Sequence, residues 1–243
     1  MSRIDDLIEA QLKTLPPKPD DKSSSTEKKR YSEQVSQVVA LAVAEELRHR
    51  GLEEARPAGE GVLGGSGAER RMAGGLGSKK VDVTWATEES GLLMAISVKT
   101  INFKDNRTNN YQKNLTNRRG DMLMEAVTLH RRFPYSVLAA FFFLDSGAEK
   151  DGTGKRRSTF INAHARLRLF TDRKDPAGRE EQYEKFYLIL LEASPDQVNI
   201  RPYRVGDPDN EISLSLMLDE LLELVAERNP DFYEYSEGQL TRL

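Results

Sequence analysis

The chain has no cysteine. Disulfides, thiolate zinc sites and cysteine nucleophiles are excluded together, and the composition suits a reducing compartment. Histidine is scarce: His49, His130 and His164 are the only imidazoles that could serve a nucleophilic serine as base. Ser66 is surrounded by glycine but lacks the second glycine of a nucleophile elbow, so serine hydrolase chemistry is not expected. Long apolar runs are missing too. The longest, VLAAFFFL over 137–144, is far too short to cross a bilayer, and the opening MSRIDDLIEAQLK carries acids where a secretory signal needs an apolar centre. The expectation is a cytoplasmic protein with no membrane partner.

A chain of 243 residues can bury one substantial core. The expected organisation is a flexible leader over 1–30, followed by a single domain over 31–243 with an acidic helical C-terminal part. The formal net charge of −3 conceals a strong asymmetry. Eight basic residues face three acids over 99–132, and eight face two over 150–174, whereas six face sixteen acids from 175 onward. The basic middle suits a polyanion that the last third repels, and the plain alternative is two solvated surfaces of opposite sign.

Periodicity gives the elements. A short helix fits 2–13, and LPPKPDDKSSSTEKK after it has linker composition. Val35, Val38, Val39, Ala42, Val43 and Leu47 form one apolar face of a helix over 31–50, closed by Gly51. The glycine-rich 58–78 reads as a mobile loop. A hairpin follows over 81–100, then a polar Asn-rich loop and a helix over 116–132 with Met122, Ala126, Leu129 and Phe133 as its buried stripe. Pro134 ends that helix and 137–144 reads as a buried strand. A basic helix over 157–170, strands over 186–192 and 198–203, and an acidic helix over 211–228 complete an α/β (α+β) pattern, a mixed sheet between helices.

GEGVLG over 59–64 matches the dinucleotide fingerprint formally, but no apolar strand precedes it and no helix follows. GGLGSKK over 74–80 likewise lacks Walker A spacing. The hairpin carries more chemistry. VDVTWATEESGLLMAISVKT has two apolar runs around a polar turn ending in Gly91. A turn centred on Glu89 and Ser90 sets Asp82 opposite Ser97, and a shift of one residue sets it opposite Lys99. Strand parity puts Asp82 and Thr84 on one face with Ser97 and Lys99, away from Val81, Val83 and Trp85. On the next helix Arg118, Asp121 and Glu125 project from one flank, so Glu125 or Asp121 can approach Asp82 and Lys99. Paired carboxylates bind a hard divalent cation, and a lysine beside them can orient a nucleophile or neutralise charge on phosphate. The plain alternative is a set of surface ion pairs.

A helix, a hairpin with Asp on its first strand and x-Val-Lys on its second, then a helix and a buried strand over about 31–144 resembles the PD-(D/E)XK nuclease superfamily, the restriction-endonuclease-like fold. Val81 stands where proline is frequent, and Ser97 stands where the second acid belongs. In some branches the following helix supplies that acid, which points to Glu125, with Asp121 as second choice and Glu33 as a further metal-shell carboxylate. The resemblance implies a Mg2+- or Mn2+-dependent DNA endonuclease, suited to restriction or anti-phage defence and acting as a homodimer or with a partner defence subunit. Asp82 and Glu125 would hold metal, Lys99 would position the attacking water, and Ser97 would hold a water or a metal ligand by hydrogen bonding. Lys113, Asn114, Asn117, Arg118 and Arg119 would grip the phosphate backbone, with Arg70, Arg71, Lys79 and Lys80 closing over it and the 102–117 loop reading bases. The alternative is a nuclease-like fold without chemistry that binds nucleic acid or serves assembly.

Overall fold

The structure, a computed structural model, describes residues 2–59, 70–174, 177–194 and 197–243, without the side chains of Arg70 and Arg71. Glycines 61–67 of the expected mobile loop, the fingerprint-like stretch and Ser66 therefore fall largely outside the described residues. In chain order the elements are α1 (Arg3–Lys13), α2 (Ser25–His49), β1 (Arg70–Gly74), β2 (Gly77–Val81), β3 (Val83–Thr87), β4 (Gly91–Ile101), α3 (Lys113–His130), β5 (Val137–Asp145), α4 (Thr159–Leu167), β6 (Lys185–Ala193), β7 (Val198–Arg204), α5 (Leu214–Arg228), β8 (Tyr233–Ser236) and β9 (Gln239–Arg242).

The central sheet has the order β3-β4-β5-β6-β7, with β4, β5 and β6 parallel and the two edge strands antiparallel. Strand alternation divides the core between two layers of helix. Val137, Ala139, Phe141 and Phe143 of β5 join α1, α2 and α5 on one face, while Leu138, Ala140, Phe142 and Leu144 join α3 and α4 on the other. This is an α/β restriction-endonuclease-like architecture, with a mixed sheet flanked by helices. Among the described residues no helix is long and apolar enough to cross a membrane.

The helix expected near 2–13 forms over Arg3–Lys13 and packs into the core, within the stretch expected to be a flexible leader. Ile4, Ile8 and Leu12 recur every four residues and are buried in the core. A capping box between Ser24 and Glu27 starts α2 at Ser25, six residues before the expected position. Two short hairpins escaped periodicity analysis altogether. β1 and β2 form one, and β8 and β9 form the other, which lays Tyr233 edge-on against Trp85 at 5.2 Å.

The end of α3, the start of β5 and the end of α5 meet at Glu184. Its carboxylate accepts the Leu138 N–H at 2.7 Å and lies 2.9 Å from both Arg173 and Arg228, with His130 at 3.3 Å. Burial alone would raise this carboxyl, but His130, Arg228 and Arg173 outweigh it and lower the group below its ordinary value. A carboxyl lowered on folding adds stability that is complete above its unfolded value of 4.5 and disappears as pH falls through the folded one. Glu184→Gln, which strands two buried guanidinium groups, should cost about 3–5 kcal/mol in urea unfolding at pH 7. Its deficit should shrink in acid, and a constant deficit across pH would contradict this assignment.

Candidate phosphate-binding cleft and carboxylate cluster

Asp82 is the residue at which the chain passes from the small β1–β2 sheet into the central one. Val83 pairs with Ile96, and the register continued one step sets Asp82 opposite Ser97, the first of the two expected alternatives. Val81, the last residue of β2, instead pairs with Arg70 of β1 and packs in the α3 layer, away from Val83 and Trp85, because the chain changes sheet between them. That departure frees the Val98 N–H from strand pairing, and it donates to Asp82 Oδ2 at 2.7 Å.

Lys99 projects from β4 toward α3, as strand parity requires. Its Nζ lies 3.4 Å from Asp82 Oδ2 and 3.4 Å from Glu125 Oε2. Met122, Ala126 and Leu129 hold α3 against the sheet, which carries Glu125 in from the neighbouring flank of the helix. Burial raises the Glu125 carboxyl above the ordinary range, with Lys99 opposing that shift and Asp82 adding to it. Burial pulls Lys99 toward neutrality, but Glu125 and Asp82 outweigh it and keep the ammonium charged. Beneath them Tyr183 donates to the Met122 carbonyl at 3.0 Å, and burial followed by the Glu125 charge pushes its phenol far up. Ser97 Oγ is buried and has no hydrogen-bond partner of acceptable geometry, although its hydroxyl still eases Glu125 ionisation. Thr84 Oγ1, on the same face, is also buried without a partner.

This cluster lies in a cleft of about 1340 Å³. Lys79 and Lys80 of β2 form one wall, held in place because the hairpin docks on α3 through glycine. The Gly75 N–H donates to the Thr128 carbonyl at 2.8 Å, and a Cβ on Gly74 would collide with Thr128. Lys113, Asn114, Asn117 and Arg118 line the α3 wall, and Asn102, Lys104, Asn106 and Arg107 line the exit from β4. Asp105 organises that exit by accepting from the Arg107 and Thr108 N–H groups and pairing with Lys113 at 2.5 Å. The Lys113 ammonium and the Thr108 N–H hold its carboxyl at about 2.

Three expected site residues, Arg119, Asp121 and Glu33, behave differently. Arg119 faces away from the cleft, with its guanidinium over Phe170 at 5.9 Å, because it is one helical step past Arg118 and points toward α4. Asp121 stays exposed at the rim, 3.9 Å from Arg118, and does not join Lys99. Glu33 lines the cleft but pairs with Lys29 at 3.7 Å. Arg70 and Arg71 lie on β1, and their side chains are outside the described residues.

The opposite wall was missed by the sequence reading. Lys28, Lys29 and Ser32 of α2 line it. Ser32 is tied to β4 through its hydroxyl, which accepts from Asn102 Nδ2 at 3.1 Å. The signal existed in the Ser24–Glu27 capping pair, which puts Lys28 and Lys29 on a helix instead of in a linker.

Among the described residues no group of three or more His, Cys, Asp or Glu side chains could hold a metal ion. A scan of protein-family models finds no match, and searches of curated proteins and of solved structures also find none. The architecture is broadly consistent with a PD-(D/E)XK-like fold.

Removing the ammonium leaves two carboxylates facing each other. In Lys99→Met the Glu125 carboxyl should titrate at still higher pH than in the unmodified protein, measured by NMR on side-chain-labelled glutamate. An unchanged or lower value would contradict the pairing.

Proposed function

We propose that the chain is a nucleic-acid-binding protein of nuclease-like architecture, with DNA held in the cleft by its phosphates. One observation carries this reading: a protein of net charge −3 gathers Lys28, Lys29, Lys79, Lys80, Lys104, Arg107, Lys113 and Arg118 around a single cleft. These cations outnumber the acids of the same cleft, Glu33, Asp82, Asp105, Asp121 and Glu125, and a surplus of positive charge along a groove suits a polyanion. Asn114 and Asn117 add uncharged donors for the backbone, while the 102–117 loop would meet base edges.

A second reading, phosphodiester hydrolysis, is favoured by the meeting of Asp82, Lys99 and Glu125 in that cleft. Mg2+ keeps several waters and takes oxygens from substrate phosphate, so one or two protein carboxylates are enough to hold it. Asp82 and Glu125 therefore fit Mg2+ or Mn2+, with the unpartnered Ser97 hydroxyl as a hydrogen-bonding group behind them. Bound there, the ion would acidify a water and draw charge from a phosphoryl oxygen. The chain's own contribution is positional and electrostatic. The basic walls would fix the backbone, and Lys99 would neutralise charge developing on the scissile phosphate. Restriction or anti-phage defence is the role this activity would suit, with a homodimer or partner subunit to cut both strands.

Two measurements separate these readings. Duplex affinity followed against salt should give a linear log–log plot, with Lys79→Gln and Arg118→Gln each flattening its slope by about 1 and Arg119→Gln leaving it unchanged. Salt-independent affinity would remove the cleft from consideration. Plasmid cleavage with Mg2+ that vanishes in Asp82→Ala, Lys99→Ala and Glu125→Ala but survives Asp121→Ala supports hydrolysis. Binding without cleavage, with activity created by Ser97→Glu, supports the non-catalytic protein.

A further inference from the structure

Beyond the cleft lies a second basic segment, 150–158, at the start of the positively charged run over 150–174. β4 and β5 are parallel, with Thr100 beside Phe143 and Ile101 beside Leu144. The chain therefore leaves both strands at the same edge of the sheet. From β4 it enters the 102–112 loop that lines the cleft, and from β5 it enters 146–158.

The two segments are fastened together. The buried Asp151 carboxylate accepts the Tyr111 N–H at 3.1 Å, the Thr159 N–H at 2.6 Å and the Thr159 hydroxyl at 2.5 Å. Tyr111 donates its hydroxyl to Asp145 at 2.5 Å and lies so close to Gly147 that a Cβ there would stand 2.8 Å from the phenol oxygen. Only glycine permits this approach. Arg156 folds inward, its guanidinium donating to the carbonyls of Asp151 and Arg157. Lys155 and Arg157 point the other way: both are exposed, and among the described residues their side chains form no ion pair or hydrogen bond. The nearby acids are already committed, Glu149 to Arg201 at 2.7 Å and Asp151 to the contacts just given.

We infer that Lys155 and Arg157 form a second phosphate-contacting site that extends the nucleic-acid footprint past the 102–112 loop, so that a long duplex is held beyond the cleft on one side. This rests on the nucleic-acid-binding reading of the cleft. Arg156 and Asp151 shape the segment from within, while the two outward cations meet phosphates without reading sequence. Preorganisation matters here, because a segment already fixed to the cleft loop loses little freedom on binding.

The test is the double variant Lys155→Glu/Arg157→Glu, checked for an unchanged thermal melt, against duplexes of about 10 and about 30 base pairs, one and three helical turns. The inference predicts roughly tenfold or greater weakening toward the long duplex, a salt slope smaller by about 2, and unchanged affinity for the short one. Equal binding of the long duplex by the variant and the natural protein overturns it. Equal weakening toward both duplexes also overturns it, by placing the two cations within the cleft's own footprint. If the natural protein binds neither duplex with salt dependence, the cleft reading fails and the inference falls with it. If the natural protein and the variant differ only in binding an acidic protein partner, the surface serves protein recognition instead.

Discussion

A single ammonium holds two carboxylates together at the centre of this structure. Lys99 bridges Asp82, at the junction of two sheets, and Glu125, on the helix packed across them. Without that charge the close approach of α3 to β4 would set two acids against each other in a poorly solvated space. The pairing lets one helix carry both the buried stripe of Met122, Ala126 and Leu129 and a carboxylate that is itself buried. It also concentrates unsatisfied polar groups there, since Ser97 and Thr84 hydroxyls lie buried beside it without partners. Buried polar groups left without partners are a cost to stability.

The surrounding architecture serves to bring distant charge to this point. β2 and β3 are nearly one strand, interrupted at Asp82, so the lysines of β2 stand over the carboxylate that the interruption exposes. The parallel pairing of β4 and β5 brings two polar loops to one edge. α2 closes the far side because its capped first turn reaches back over residues of linker composition. The Glu184 network is buried among ion pairs and fixes the opposite end of α3, so that its cleft-facing half is steadied from behind.

Much of this was legible in the sequence because it depends on local periodicity. The buried strand β5, the stripe on α3 and the alternation that faces Lys99 toward α3 follow from spacing alone. Convergence of Asp82 and Glu125 was legible through hairpin register combined with helix phase. What escaped was governed by tertiary packing. The direction of Arg119 depends on which flank of α3 meets α4, and Asp121 fails to join Lys99 because its exposed position leaves it near Arg118. The β1–β2 hairpin has too few apolar residues to show alternation, and close glycine packing on Thr128 holds it in place. The first helix was legible, but its packing into the core and the start of α2 at Ser25 were hidden by the prolines and serines between them.

The central claim is that the cleft holds nucleic-acid phosphates above the Asp82–Lys99–Glu125 cluster. Lysine acetylation mapped by mass spectrometry with and without duplex DNA tests it most directly. The account predicts protection of Lys28, Lys29, Lys79, Lys80, Lys104 and Lys113, which line the cleft, with Lys13 and Lys185 outside it unchanged. Equal labelling of the cleft lysines in both conditions would contradict it.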